Sequence, residues 1–188
     1  MSASKEQKDY HMRKLRTHYK LIDKHNSGYI SHEGFRQMAE KLKGFARMLQ
    51  HEEKALAVDV AFLAVSDVLK LKEGVNYAIE DLVKSSSQTL LSMSKEDAKT
   101  ITNNVHNAIF DVADANEDGF ISLEEYKVYF YILGHDISDE EITQSFNAID
   151  SNKDEKISRE EFLEAAFDYF INVDESEVAK VFLGHLET

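Results

Sequence analysis

Apolar positions recur along this chain at intervals of three and four, and the polar stretches between them recur as well. Met12, Leu15, Tyr19 and Ile22 mark one face of a first helix, and Phe35, Met38, Leu42 and Phe45 mark a second. Ile101, Val105, Ile109 and Val112 lead into a polar stretch, and Tyr126, Phe130 and Leu133 lead out of it. Ile142, Phe146 and Ile149 precede another, with Phe162 and Ala166 after it. Ser94 stands three residues before Asp97, and Ser138 three before Glu141, the spacing of helix N-caps with an acid in the first turn. Proline is absent, and four of the seven glycines (Gly28, Gly74, Gly119 and Gly134) fall in predicted turns. The pattern predicts long helices broken by short loops.

Three polar stretches share one frame: DKHNSGYISHEG at 23–34, DANEDGFISLEE at 114–125 and DSNKDEKISREE at 150–161. With the first loop residue as position 1, position −4 is Tyr19, Phe110 and Phe146, and position −1 is Ile22, Ala113 and Ile149. Position 8 is Ile30, Ile121 and Ile157, and position 13 is Phe35, Tyr126 and Phe162. Solvated charge runs have no reason to share apolar columns. Positions 7 to 9 form a short strand whose backbone needs a partner, so Ile121 is expected to face Ile157. Ile30 needs a mate too, and LKLKEGVNYAIEDL provides one, with Tyr77 in the eighth slot and Gly74 in the turn before it. Lys70 and Lys72 stand at positions 1 and 3 of that stretch and repel a cation, so it reads as scaffold. The expected fold is all-α. Four helix–loop–helix hands form two lobes, 1–92 and 93–188, packed into one compact protein with short antiparallel strand pairs between paired loops.

Calcium takes six to eight hard oxygens, drawn in a twelve-residue loop from positions 1, 3, 5, 7 (a carbonyl), 9 and a two-oxygen Glu at 12. The 114 loop offers Asp114, Asn116, Asp118, the Phe120 carbonyl, Ser122 and Glu125, with Gly119 at position 6 and no basic residue within it. The 150 loop offers Asp150, Asn152, Asp154, the Lys156 carbonyl, Ser158 and Glu161. Its position 6 is Glu155, where a left-handed backbone costs a non-glycine residue about 1–2 kcal/mol. Lys153, Lys156 and Arg159 dilute its field, so this site is expected to be the weaker. In the 23 loop His25 replaces an oxygen donor and Gly34 replaces the closing Glu, so its expected role is structural pairing. His25 and His32 lack the further ligands that zinc would need. Two calcium ions are expected, with magnesium competing for the same oxygens.

Composition narrows the partners. Against 22 basic residues stand 35 acidic ones, for a net charge of −13, which disfavours nucleic acid and anionic membranes and favours cations. There is no Cys, which excludes disulfides and thiolate sites. The opening MSASKEQKDYHMRKLR has no apolar signal core, and Ser2 stands where myristoylation needs Gly. ALAVDVAFLAV, interrupted by Asp59, is too short to span a bilayer. A cytoplasmic monomer is expected. No nucleophile stands beside an identifiable base and orienting acid, and His106, His135 and His185 read as a helix, a turn and a tail residue, so no enzyme is expected.

The loop columns resemble those of the EF-hand superfamily. Within it the chain resembles the group of sarcoplasmic calcium-binding proteins, coelenterazine (luciferin)-binding proteins and photoproteins, through YHMRKLRTHYKLID at 10–23, FLAVSDVLKLKEGV at 62–75, FISLEEYKVYF at 120–130, FNAIDSNKDEKISREEF at 146–162 and VFLGHL at 181–186. The resemblance implies a compact four-hand protein with a silent second hand and calcium in the first, third and fourth. His25 and Gly34 depart from that pattern in the first. Photoproteins of the group hold a peroxidised substrate with Trp, Tyr and His, and a chain without Trp fits light emission poorly. No Met follows Met93, so the lobe with the good loops lacks the Met-rich surface of a target-grasping sensor. A cytosolic calcium buffer of the sarcoplasmic type is the leading expectation. The alternative is a calcium-triggered carrier of a small aromatic ligand such as coelenterazine, in an interior lined by Tyr19, Phe35, Phe45, Phe62, Phe110, Phe130, Phe146 and Phe170.

Overall fold

The computed structural model describes residues 3–186, and the expectation about Ser2 lies outside them. The amino-terminal half comprises α1 (Lys5–Ile22), β1 (Tyr29–Ser31), α2 (His32–Met48), α3 (Glu52–Val68), β2 (Asn76–Ala78) and α4 (Ile79–Ser92). The carboxy-terminal half comprises α5 (Lys95–Ala113), β3 (Phe120–Ile121), α6 (Leu123–Leu133), α7 (Asp139–Ile149), β4 (Ile157–Ser158), α8 (Arg159–Phe170) and a short α9 (Glu177–Val181). The expected all-α fold with two short strand pairs is what the chain adopts.

Helix starts are set by side-chain oxygens that take otherwise orphaned N–H groups. Ser122, Ser138 and Ser158 each form a reciprocal box with the Glu three residues on, and Ser94 accepts from the Asp97 N–H at 3.0 Å. Helix α6 stops at Gly134, whose φ of 65° carries the chain out through the left-handed region.

Both strand pairs are antiparallel, and their register matches the position-8 column. Ile30 faces Tyr77 and Ile121 faces Ile157. Ile121 and Ile157 are fully buried, so each ladder hangs its loops from the core beneath. That core is one continuous cluster running from Leu15 and Phe35 through Val58 to Phe110, Tyr126 and Tyr169.

The halves meet where α3 packs on α5, α2 on α6 and α1 on α8. Two carbonyls near the end of α8, those of Asp168 and Asn172, accept from the Lys14 ammonium at 2.8 and 2.7 Å. His11 Nε2–H donates to the Phe170 carbonyl at 2.8 Å, and Tyr169 donates back to the Lys14 carbonyl at 2.7 Å. Lys14 is completely buried, and that burial lowers its pKa to about 8. Among the described residues no helix is long and apolar enough to cross a membrane.

Replacing Lys14 with Met keeps the apolar stem and strands both carbonyls. We expect a loss on the order of 2 kcal/mol in urea unfolding, as for buried charge-assisted bonds. An unchanged midpoint would show that water serves those carbonyls equally well.

Candidate calcium loops and the cavity between the halves

The 114 and 150 loops share the same backbone-to-side-chain hydrogen bonds, residue for residue. Asp114 accepts from the N–H groups of Asp118 and Gly119, both at 3.1 Å, and Asp150 from those of Asp154 and Glu155 at 3.2 and 3.0 Å. Asn116 and Asn152 each accept from the N–H two residues on, at 2.9 Å. At the far side Glu125 folds back over the loop, one oxygen accepting from Ala115 N–H at 3.2 Å and the other from Ser122 N–H at 2.9 Å. Glu161 does the same with Ser151 and Ser158, at 3.0 and 2.9 Å. In both loops, then, the acids of positions 1 and 12 close on one space from opposite sides.

The electrostatics suit a divalent cation. Burial raises the Asp114 carboxyl above its ordinary range, and the charges of Glu125 and Asp118 push it the same way against the loop's N–H groups. A cation between them removes that repulsion. For Glu161 burial works upward but is outweighed by hydrogen bonds from Ser158, Ser151 and Asn152, so its carboxyl lies below the usual range. Only oxygen donors converge in either loop, which is the chemistry of a hard ion.

Glu155 has the positive φ expected at position 6, 66° against 87° for Gly119. Position 4 is left-handed too, with Glu117 at 61° and Lys153 at 63°, which the loop frame alone did not indicate. Nor is the 114 loop free of cationic neighbours. Lys54 of α3 donates to the Asp114 carbonyl at 3.1 Å and pairs with Glu117 at 3.2 Å, tying this loop to the other half of the molecule.

The two remaining hands lack one part each. In the 23 loop Asp23 keeps its bonds, accepting from Ser27 and Gly28 N–H at 3.0 and 2.6 Å, but nothing closes from position 12 because Gly34 has no side chain. In the second hand the Tyr77 hydroxyl takes the Lys72 N–H at 2.9 Å and donates to the Lys70 carbonyl at 3.3 Å. A side chain braces that loop where an ion would otherwise do so.

Between the halves lies an apolar cavity of about 110 Å3. Of the aromatic residues expected around a guest, Tyr19, Phe35, Phe62 and Phe170 line it. Phe110, Phe130 and Phe146 fill solid core instead, and Phe45 packs at the core's edge. Three histidines also reach the cavity: His106 and His135, which the sequence left as a helix and a turn residue, and His18, which it did not single out. Their helical spacing with Leu15, Ile109 and the Leu133 end of α6 was the available signal. Burial, the leading cause for each, lowers their pKa values to about 3, 4 and 4, so all three rings are neutral at physiological pH. His106 Nδ1–H donates to the Thr102 carbonyl at 2.8 Å, whereas Nδ1 of His18 and of His135 is buried without a hydrogen-bond partner.

Comparison with known proteins agrees with this geometry. An EF-hand domain pair model matches residues 102–167. The luciferin-binding protein of Renilla reniformis is 33% identical over 178 residues, covering 94% of this chain and 95% of its own. The chain belongs to the EF-hand family. Its group includes the sarcoplasmic calcium-binding protein of Perinereis vancaurica tetradentata, 29% identical over 95% of this chain and 99% of that one. Among solved structures, coelenterazine-binding protein from Renilla muelleri in the calcium-loaded apo form superposes with a TM-score of 0.73, at 31% identity, over 98% of this chain and all of that one. Calcium binding through EF-hand motifs is thus the family-level function of this EF-hand protein.

The neutral histidines make stability depend on pH. Unfolded, these rings take a proton near pH 6.5, whereas folded they resist until about 3 to 4, so between those values the unfolded chain holds more protons. Their contribution is complete above about 6.5 and is lost as pH falls toward 4. Denaturant melts from neutral to mildly acidic pH, with calcium chelated, should show that decline, and His106→Leu should flatten it. Equal slopes for the two proteins would rule out His106 as a contributor.

Proposed function

We propose that this EF-hand protein is a calcium-triggered carrier of a flat aromatic molecule of the coelenterazine type. The carrying observation is the cavity: apolar walls from both halves, with two buried histidine nitrogens left without partners. Solid cores leave few such atoms, because an unpaired buried polar group is costly. A guest with heteroatoms on a planar frame would supply those partners while its rings cover the apolar walls. The kinship with luciferin-binding protein along nearly the whole chain supports the same reading.

At about 110 Å3 the cavity is smaller than the ~300–1,000 Å3 of pockets that hold drug-sized molecules. We take it as the closed, guest-free shape. Admission would need the walls to part in the calcium-free protein, and calcium in the two loops would draw them together again. Asp114, Asn116, Asp118, the Phe120 carbonyl, Ser122 and Glu125 would hold one ion, and Asp150, Asn152, Asp154, the Lys156 carbonyl, Ser158 and Glu161 a second. Ion charge would neutralise the repulsion between these carboxylates and hold Glu125 and Glu161 against the ion. These residues open α6 and α8, whose far ends reach the cavity at Leu133 and Phe170. Calcium can release a guest only if the two states differ in affinity for it, and these helices link the events. The chain would act in the cytosol as a monomer and without catalysis.

A second reading is calcium buffering of the sarcoplasmic type. The small cavity favours it, since a closed interior needs no guest.

The two readings part on one experiment. Coelenterazine should bind the calcium-free protein at roughly submicromolar Kd, and calcium should reverse it. Binding that is absent in both states would leave only the buffer. Calorimetry should count two ions, with Glu125→Gln and Glu161→Gln each removing one. The 150 loop should bind about tenfold more weakly than the 114 loop, since 1–2 kcal/mol of strain at Glu155 is about a decade. Glu155→Gly should narrow the gap, and a tighter 150 loop in the unaltered protein would refute the ranking.

A further inference from the structure

The missing Glu of the first hand leaves more than a weak calcium loop. A polar cleft of about 420 Å3 opens between the 23 loop, α2 and the end of α6. The degenerate positions form its wall, His25 and Gly34 among them. Into it project two lysines from separate elements, Lys24 at position 2 of the loop and Lys41 of α2.

Their arrangement is unusual. Both ammonium groups donate to one acceptor, the Leu133 carbonyl, at 2.5 Å from Lys24 and 2.7 Å from Lys41. Lys24 also reaches the Gly134 carbonyl at 3.1 Å. They crowd the chain so closely that a Cβ on Gly134 would stand 2.8 Å from the first ammonium and 3.3 Å from the second. Two cations on one carbonyl repel each other. Among the described residues no carboxylate comes within ion-pairing reach of either.

The two acids of the cleft are already engaged. Asp23 is turned into its own loop, taking Ser27 N–H at 3.0 Å, Ser27 Oγ–H at 2.9 Å and Gly28 N–H at 2.6 Å. Glu33 pairs with Arg36 at 3.0 Å. His135, whose Nδ1 is buried without a partner, lines the cleft as well as the apolar cavity, and Met38 and Leu133 are shared in the same way. A chain of net charge −13 therefore keeps two unneutralised cations side by side on an open polar space.

We propose that this cleft is an anion site: Lys24 and Lys41 together bind a phosphate or sulfate group, either a free oxyanion or the ester of an organic molecule whose apolar part enters the adjoining cavity. Tetrahedral oxyanions present several acceptors to two ammonium groups at once and cancel their repulsion. The first hand would then have exchanged a cation site for an anion site when it lost the carboxylate of position 12. This holds whether the protein is a carrier or a buffer.

The test uses the full chain, inorganic phosphate, inorganic sulfate and 2-naphthyl phosphate. Calorimetry should give one saturable site for the inorganic anions. Lys24→Gln and Lys41→Gln should each weaken it about tenfold, and the double variant should abolish it, while Lys24→Arg/Lys41→Arg retains it. Tighter binding of the naphthyl ester, with the same lysine dependence, identifies an ester-bearing guest, and no gain over phosphate identifies the free ion. An absence of saturation by ~10 mM, or equal affinity in the double Gln variant, means an adventitious ion only and overturns the proposal. Should the double variant unfold, amide shifts in the unaltered protein decide. Changes centred on Lys24, Lys41 and Gly134 sustain the site, and changes elsewhere or none refute it.

Discussion

The carbonyl ends of α6 and α8 govern how this molecule is put together. A helix finishes with four carbonyls that have no partner within it, and when its end is buried something else must donate. Here the donors come from the amino-terminal half: Lys24 and Lys41 for α6, Lys14 and His11 for α8. These are the helices that leave the two intact loops, so each hand is fastened at its far end to the opposite half. Attached in this way, the halves cannot separate into a dumbbell, and the cavity lies in the space their helices do not fill.

Much of this could be read in the chain beforehand. Loop positions were legible because an oxygen cage demands fixed spacing, and the strand register followed since position 8 must point into the core. Tyr77 was found opposite Ile30 for that reason, although its own loop has no ion-binding character. The brace its hydroxyl forms was not readable, as it depends on how far a ring reaches across a turn. The histidines around the cavity escaped for a related reason. His18, His106 and His135 are far apart in sequence and meet only through the packing of α1 and α5 against α8 and of α5 against α6. Periodicity marks which face of a helix is buried but not which helix it will meet. Lys54 illustrates the same limit, because a loop that carries no base in its own sequence receives one from α3.

Expectations about function were limited in the same way. Oxygen donors at set intervals point to calcium whatever the rest of the protein does. Whether the interior is solid or hollow depends on a few side-chain volumes, and Phe110, Phe130 and Phe146 turned out to fill while Phe62 and Phe170 border a void. That difference separates a buffer from a carrier, and an alternation of apolar and polar letters does not encode it.

Tyr77 carries one further consequence. With its hydroxyl bridging Lys72 and Lys70, the second hand is complete without any metal, and its ladder keeps the first hand in place as well. The ladder of the amino-terminal half therefore forms without a cation, and the loops that a cation would complete all lie in the other half. Such asymmetry makes the molecule electrically single-ended: one ladder is braced by a phenol, and the other is flanked by two rings of unneutralised carboxylates.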